Sequence, residues 1–448
     1  MAKRVVVVGG GAAGITAART AREEGAEVTL VTAEEHVAYS PCALPFVLAG
    51  ELDLDDVVMR TPEHYERMGI EVLTGTEVVE VDTDAKVVET EDGDNIEYDS
   101  LVLATGGEPL VPPIDGVDLE GVFTLRRLED VPPLMEAVED AERAAVVGAG
   151  PIGVEVADAL ARRLERVYLI EMLDRVLPQM LDGETASFLE ETMTKRGVTP
   201  LLGEPLEAIR GDDAVEEVVV GGDSFEVDIV VMAVGVAPNL ELFDAIGAET
   251  LPFGVLTDPA LRVKSEDGGV FGDVFAAGDC VADRCAVTGE PVPSQLGTVA
   301  VRQGRIAGLN AASDEPRARW NGTLNTAVVV AFGLEAASTG LTEARAGELG
   351  VPVVSATVES TTRARYYPGG EPLVAKLIAE EGSGRIVGCQ VVAGERARER
   401  VDGIALAVRS GATVWDLIDW DFSYSPPVGR VVEPLHEAAI ELAGELRS

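Results

Sequence analysis

Cys42 stands in the segment Tyr39-Ser40-Pro41-Cys42-Ala43-Leu44-Pro45, downstream of a glycine loop made by Gly9, Gly11 and Gly14. A second loop of the same spacing follows at Gly148, Gly150 and Gly153. Such a loop works because glycines let backbone N–H groups approach a pyrophosphate, while the next helix offers the partial positive charge of its N-terminus. Two loops imply two nucleotide cofactors. A thiol placed after the first implies an electron path from one nucleotide, through the other, to sulfur, which is flavin chemistry. Pro41 and the apolar residues after Cys42 predict a thiol at a helix start, where the dipole favours thiolate. Position 47 is valine, so a Cys-x4-Cys pair is absent there.

The loops can act only if strands and helices hold them. Residues 5–8 are all valine, which fits a strand buried on both faces of a parallel sheet, and 12–24 reads as a helix. A second strand is expected at 28–31. The pattern returns as a strand at 144–147, the second loop, a helix to about 163 and a strand at 167–170. Each unit closes on a similar strand-to-glycine segment, one ending Ala104-Thr105-Gly106 and the other at Gly235. This internal repeat predicts two doubly wound domains in series. Residues 274–279 read as a further strand ending in Gly278-Asp279, followed by a helix over 295–312 that returns to the first domain. The tail has expected strands at 326–332, 353–358, 373–379 and 386–392, then helices. The expected fold class is therefore α/β, with two Rossmann-like dinucleotide-binding domains, 1–116 with 245–318 and 117–244. A C-terminal α+β domain, 319–448, completes it.

In the second unit Glu171 ends the second strand, where an acid binds both ribose hydroxyls and repels a 2′-phosphate. NADH is thereby preferred, with NADPH left open. In the first unit the matching position is Thr32, with Glu34 and Glu35 close behind, so the ribose acid there is missing or displaced.

Composition bounds the partners. Acidic residues number 79 against 35 basic, a formal charge of −44, which disfavours nucleic acid and anionic membrane. A surface so acidic, with lysine only at Lys3, Lys86, Lys195, Lys264 and Lys376, reads as a halophilic adaptation to high cytosolic salt. Four cysteines in 448 residues do not make a secreted disulfide framework, so a cytoplasmic setting is expected. The start of the chain reads as a strand and not as a signal peptide, because its apolar run passes straight into glycines and then charges. No uncharged apolar stretch reaches the roughly 20 residues needed to cross a bilayer.

With these motifs in place the chain resembles, along essentially its whole length, the single-cysteine branch of the FAD-dependent pyridine nucleotide-disulfide oxidoreductases. The nearest likeness is to coenzyme A-disulfide reductases and NADH oxidase-like enzymes. It is carried by Cys42-Ala43-Leu44-Pro45, Ala104-Thr105-Gly106, Gly278-Asp279, Tyr366-Tyr367-Pro368-Gly369 and Tyr424-Ser425-Pro426-Pro427. The resemblance implies FAD on Gly9, Gly11, Ala12, Ala13, Gly14, Thr32, Glu34, Ala104, Thr105, Gly106, Gly278 and Asp279. It implies NADH on Gly148, Gly150, Ile152, Gly153, Glu171 and Gly235. It further implies a homodimer built by the C-terminal domain, in which Tyr366 and Tyr424 reach the active cysteine of the partner subunit. Arg302 matches a family position near substrate, and Arg305, Arg363, Arg365, Arg19 and Arg22 are further candidates to meet a polyanionic thiol such as coenzyme A.

The expected reaction runs from NADH through FAD to Cys42, which then reduces a small-molecule disulfide, coenzyme A disulfide first among them. Related NADH oxidases and peroxidases usually carry a histidine in the first glycine loop, where Ala12 stands here, so thiol exchange is favoured over oxygen reduction. An NADH oxidase or a sulfur/persulfide reductase is the alternative among enzymes. A flavin-binding redox sensor is the alternative of another class. Cys280 and Cys285 also have Cys-x4-Cys spacing, but they follow the flavin-binding Asp279 and not the first glycine-loop unit.

Overall fold

The four valines that complete the strand Arg4–Val8 are all buried, as a central parallel strand requires. A computed structural model describing residues 2–447 places this strand in a six-stranded sheet. The order is Arg262–Lys264, Val270–Ala276, Ser100–Leu103, Arg4–Val8, Glu27–Val31, Ile70–Leu73. All pairs are parallel except the Arg262–Lys264 edge. The chain builds outward from Arg4–Val8 on one side and returns on the other, so the C-terminal end of this strand is a topological switch point, where ligands bind in such sheets. The outer limits of the two expected terminal domains, Met1 and Ser448, lie outside the described residues.

Contacts divide the chain into two units, the first holding residues up to 43, 52–108 and 236–323, and the second holding 44–51, 109–235 and the chain from 324. In the first unit the helix Ala12–Glu23 packs on Gly297–Ala311 through glycines. A Cβ on Gly304 would lie 2.3 Å from the carbonyl oxygen of Ala13, and one on Gly308 2.3 Å from that of Ala17. Both helices sit within a residue or two of their expected ends.

The second unit repeats the logic. Its parallel sheet has the order Val198–Leu202, Arg166–Glu171, Arg143–Val147, Ile229–Met232, Val122–Thr124. The second glycine loop again leaves the central strand. The tail forms an antiparallel sheet in the order Ala327–Ala331, Leu334–Gly340, Ile386–Ala393, Pro372–Glu380, Val353–Thr361. All eight residues of Ile386–Ala393 are buried, because the helices Ala397–Ser410 and Gly183–Lys195 both pack on that strand. Leu334–Gly340 lies outside the expected strands, as do two small antiparallel sheets, 78–97 and 206–226.

Lys376 is wholly buried on the strand Pro372–Glu380. Its ammonium meets Glu184 at 2.9 Å, Asp182 at 3.6 Å and Glu343. Asp182 also accepts from the Gln390 amide at 2.6 Å, and that amide oxygen accepts from Thr185 at 2.6 Å. A buried ammonium is tolerated only when paired in this way. Among the described residues no helix is long and apolar enough to cross a membrane.

Candidate active site

The two glycine loops divide their labour identically. A Cβ on Gly9, whose φ is +110°, would meet the Ala104 carbonyl oxygen at 2.1 Å, and one on Gly14 would meet the Gly9 carbonyl oxygen at 1.8 Å. In the second loop Gly148 faces the Ala233 carbonyl oxygen at 2.4 Å, and Gly153 faces that of Gly148 at 1.8 Å. The first and third glycines therefore pack the turn against its own protein. Around Gly11 and Gly150 a Cβ would meet no protein atom within 4 Å. No protein atom demands glycine at either position. Both are N-caps with extended backbone and no side-chain cap, so the first N–H groups of Ala12–Glu23 and Pro151–Ala161 keep their donors for an anion. The donor sets thus fit two dinucleotides.

Around the first loop, Thr32 is buried with its side chain against Gly10. Its hydroxyl accepts the Glu34 N–H at 3.3 Å, and Glu34 is half-buried just beyond. Ala13 is buried against the Gly278 turn, where a Cβ on Gly278 would come within 2.9 Å of Ala13 Cβ. Thr105 donates to the Asn239 carbonyl at 2.9 Å and its own carbonyl accepts from the Asn239 amide at 3.0 Å, which fixes Ala104-Thr105-Gly106 at the end of its strand. The first unit therefore brings together the glycine loop, Thr32, Ala104 to Gly106, Gly278 and Asp279.

Cys42 lies in a three-residue 3-10 turn, Pro41–Ala43, followed by the five-residue helix Leu44–Leu48. The expected helix is hence only a turn and a half long, and the dipole available to a thiolate is correspondingly small. The segment is tied down instead by backbone. Ala38, at φ +53°, donates its N–H to the Gly10 carbonyl at 3.4 Å and accepts from Met59 N–H at 3.0 Å. Cys42 is exposed, whereas Cys280, Cys285 and Cys389 are buried. Burial pushes the Cys280 thiol up to about 11, and its sulfur faces the carbonyls of Ala277 and Leu103. The Cys280/Cys285 spacing is thus core packing.

In the second unit Glu171 ends the strand Arg166–Glu171. One carboxylate oxygen accepts the Ala149 N–H and the other the Leu173 N–H, both at 2.9 Å. Ile152 is half-buried one residue before the third glycine, and Gly235 is exposed with a φ of +124°. Elsewhere in this unit the hydroxyls of Tyr366 and Tyr424 are 2.8 Å apart, both rings exposed. They border a cleft of about 240 Å³ with Ala364, Arg365, Arg430, Val431 and Val432.

The basic candidates separate by what they already hold. Arg22 donates to the Met68 and Ala26 carbonyls at 3.1 Å, and Arg363 forms a two-pronged pair with Glu395 at 2.7 and 2.8 Å. Both are structural. Arg19 pairs with Glu23 on the surface. Arg302 and Arg305 are exposed on Gly297–Ala311, with the Arg302 guanidinium 5.0 Å from the Trp320 ring centroid, and Arg365 is exposed beside Tyr366.

The family model for pyridine nucleotide-disulphide oxidoreductases matches residues 3–304, and the model for the dimerisation domain of that family matches 326–435. The chain belongs to the pyridine nucleotide-disulphide oxidoreductases. Over 97% of its length it is 41% identical to an NADH oxidase of Methanocaldococcus jannaschii, covering 98% of that protein. It is 35% identical to an NAD(P)H coenzyme A polysulfide/persulfide reductase of Pyrococcus horikoshii, covering 97% of each. The structure of an NAD-dependent persulfide reductase from A. fulgidus superposes with a TM-score of 0.93 at 35% identity, over 99% of this chain and 83% of that one. As a pyridine nucleotide-disulphide oxidoreductase, the protein is an NAD(P)H-dependent flavin oxidoreductase with FAD and NAD(H) as cofactors, and its expected α/β architecture is borne out.

Proposed function

We propose that this enzyme reduces a low-molecular-weight disulfide, coenzyme A disulfide by preference, with Cys42 as its only redox sulfur. The observation that carries the reading is the contrast among the four cysteines: one exposed after the first nucleotide loop, three buried. With no second protein thiol beside it in sequence, Cys42 must take its disulfide partner from the substrate. FAD, when bound, passes an electron pair from NADH to sulfur. The Cys42 thiolate attacks one sulfur of the substrate, forms a mixed disulfide and expels the first thiolate, which takes up a proton. Two electrons then break the mixed disulfide, returning Cys42 as thiolate and releasing the second thiol. The balance is one NADH, one proton and one disulfide in, one NAD⁺ and two thiols out.

Gly9, Gly11, Ala12, Ala13, Gly14, Thr32, Glu34, Ala104, Thr105, Gly106, Gly278 and Asp279 hold FAD in this scheme. Gly148, Gly150, Ile152, Gly153, Glu171 and Gly235 hold NADH. Tyr366 and Tyr424 place and protonate the departing sulfur, acting on Cys42 of the partner subunit in a homodimer, and Arg302 meets the charge of the substrate. Exposed Trp420, Phe422, Val428, Val431 and Val432 in the tail, together with the dimerisation-domain match, support that assembly. The three-domain division, the cytoplasmic setting and the high-salt habitat belong to the same proposal.

A second reading, reduction of oxygen or of polysulfide sulfur, is favoured by the names of the relatives at 41% and 35% identity. Purified FAD-loaded protein given NADH with coenzyme A disulfide, polysulfide or oxygen separates the readings by which acceptor sustains turnover. C42S should abolish disulfide turnover with FAD still bound. Undiminished turnover in C42S would sink the scheme.

A further inference from the structure

Behind the Gly278-Asp279 turn lies a buried polar chain that no step above uses. Asp283 is 2% exposed and Gln303 1%. One Asp283 oxygen accepts the Trp320 indole N–H at 2.7 Å and the Arg284 N–H at 2.6 Å. Its other oxygen accepts the Gln303 amide N–H at 3.1 Å, and the Gln303 amide oxygen accepts the Gly278 N–H at 2.8 Å. Direction is what matters in this chain. Glutamine presents an oxygen at one end of its amide and an NH₂ at the other, and the two ends are nearly alike in shape. Asp283, which as a carboxylate only accepts, forces the NH₂ toward itself and so aims the oxygen at Gly278. At a φ of +91° Gly278 takes a left-handed backbone that glycine adopts freely, and the bond from its N–H to Gln303 ties that turn to the chain.

We propose that Asp283 is a positioning residue for the flavin, fixing the amide orientation of Gln303 so that the Gly278-Asp279 turn is presented to the cofactor. This rests on the assignment of Gly278 and Asp279 to FAD. It also reaches outward, since the bond to Asp283 sets the Trp320 ring on which the Arg302 guanidinium lies. A ring whose N–H is bonded to an anion is a better cation-π partner.

The chain can be rewritten with little change of shape. In D283N the oxygen of the introduced amide stays with the two donors, Trp320 and Arg284, and its NH₂ then faces the Gln303 NH₂. If Gln303 turns over, its NH₂ faces the Gly278 N–H instead. Either way one buried donor is unsatisfied. Q303E places two carboxylates against each other. In the D283N/Q303E double variant, which keeps the net charge of the parent, the amide introduced at position 283 donates to the new carboxylate. That carboxylate accepts from Gly278, so the links from Trp320 and Arg284 through positions 283 and 303 to Gly278 are restored. FAD release from the purified holoprotein, followed by flavin fluorescence at fixed salt, should be roughly tenfold faster or more in each single variant. The double variant should return to within about threefold of the parent, and single variants that purify without flavin count the same way. A double variant as leaky as the singles, or singles that hold FAD like the parent, would overturn the inference. D279A separates the two layers. If it too retains FAD, the assignment of the turn to the flavin fails; if it alone loses FAD, only the role of Asp283 fails.

Discussion

The hydroxyl oxygens of Tyr366 and Tyr424, 58 residues apart in the chain, share a hydrogen bond of 2.8 Å. That bond raises the Tyr424 pKa above its usual value of 10, because the neutral phenol is the form the neighbour stabilises. In Y366F the Tyr424 phenol should therefore titrate at lower pH, closer to 10, in an ultraviolet difference titration. Turnover with the preferred disulfide should fall about a hundredfold if the pair supplies a proton, with flavin content unchanged. A double variant no slower than the slower single one would mark the hydroxyls as a single unit.

Gly9 and Gly11 make a matched test of what each glycine serves. G9A drives a Cβ into the Ala104 carbonyl and strains a positive-φ residue, so it should lower the melting temperature of the protein even before flavin is considered. G11A meets no protein atom and should leave that temperature unchanged when FAD is removed, while FAD affinity drops at least tenfold. Equal thermal losses in both variants would count against the ligand-facing role of Gly11.

These glycines were legible because their signal is local: the spacing, the valine runs before them and the helices after them all lie within one strand-loop-helix unit. The same locality made Glu171 visible, whereas Tyr366 and Tyr424 were singled out by the family resemblance alone. What escaped depends on distant pairing. Leu334–Gly340 has few β-branched residues and becomes a strand because Ala327–Ala331 and Ile386–Ala393 bond it on both sides. Arg22 and Arg363 look like any exposed arginine until the Met68 carbonyl and Glu395 are brought to them. Asp283 likewise carries no pattern, as its meaning comes from Gln303 and Trp320.

The Arg363–Glu395 pair should show itself in acid. Arg363 beside it is the main cause that holds the Glu395 carboxyl down at about 2, against an ordinary 4.5. A depressed folded-state pKa means stability that is fully present above the unfolded value and is lost as pH falls through the folded one. R363M should therefore melt earlier than the parent at neutral pH. The gap between the two should narrow from about pH 4.5 downward and close near pH 2, as melting curves across that range would record. A gap that stays constant would mean that the pair contributes packing and not charge.

Glu171 offers the last prediction, on the choice of nucleotide. Its two oxygens are each bonded to a backbone N–H, of Ala149 and of Leu173, so the carboxylate is held rigidly at the end of its strand. E171Q keeps the shape but turns one acceptor into a donor facing an N–H, which should weaken NADH and NADPH binding alike. The loss of charge also relieves a repulsion of the 2′-phosphate, which only NADPH carries. Repulsion between unit charges about 4 Å apart in water is worth about 1 kcal/mol, and more where water is partly excluded. The NADPH-to-NADH ratio of kcat/KM should thus rise roughly fivefold or more in E171Q, while the absolute kcat/KM for NADH falls. Taking the ratio cancels the shared damage to the loop. An unchanged ratio would mean that Glu171 only braces the turn and that the 2′-position is read elsewhere.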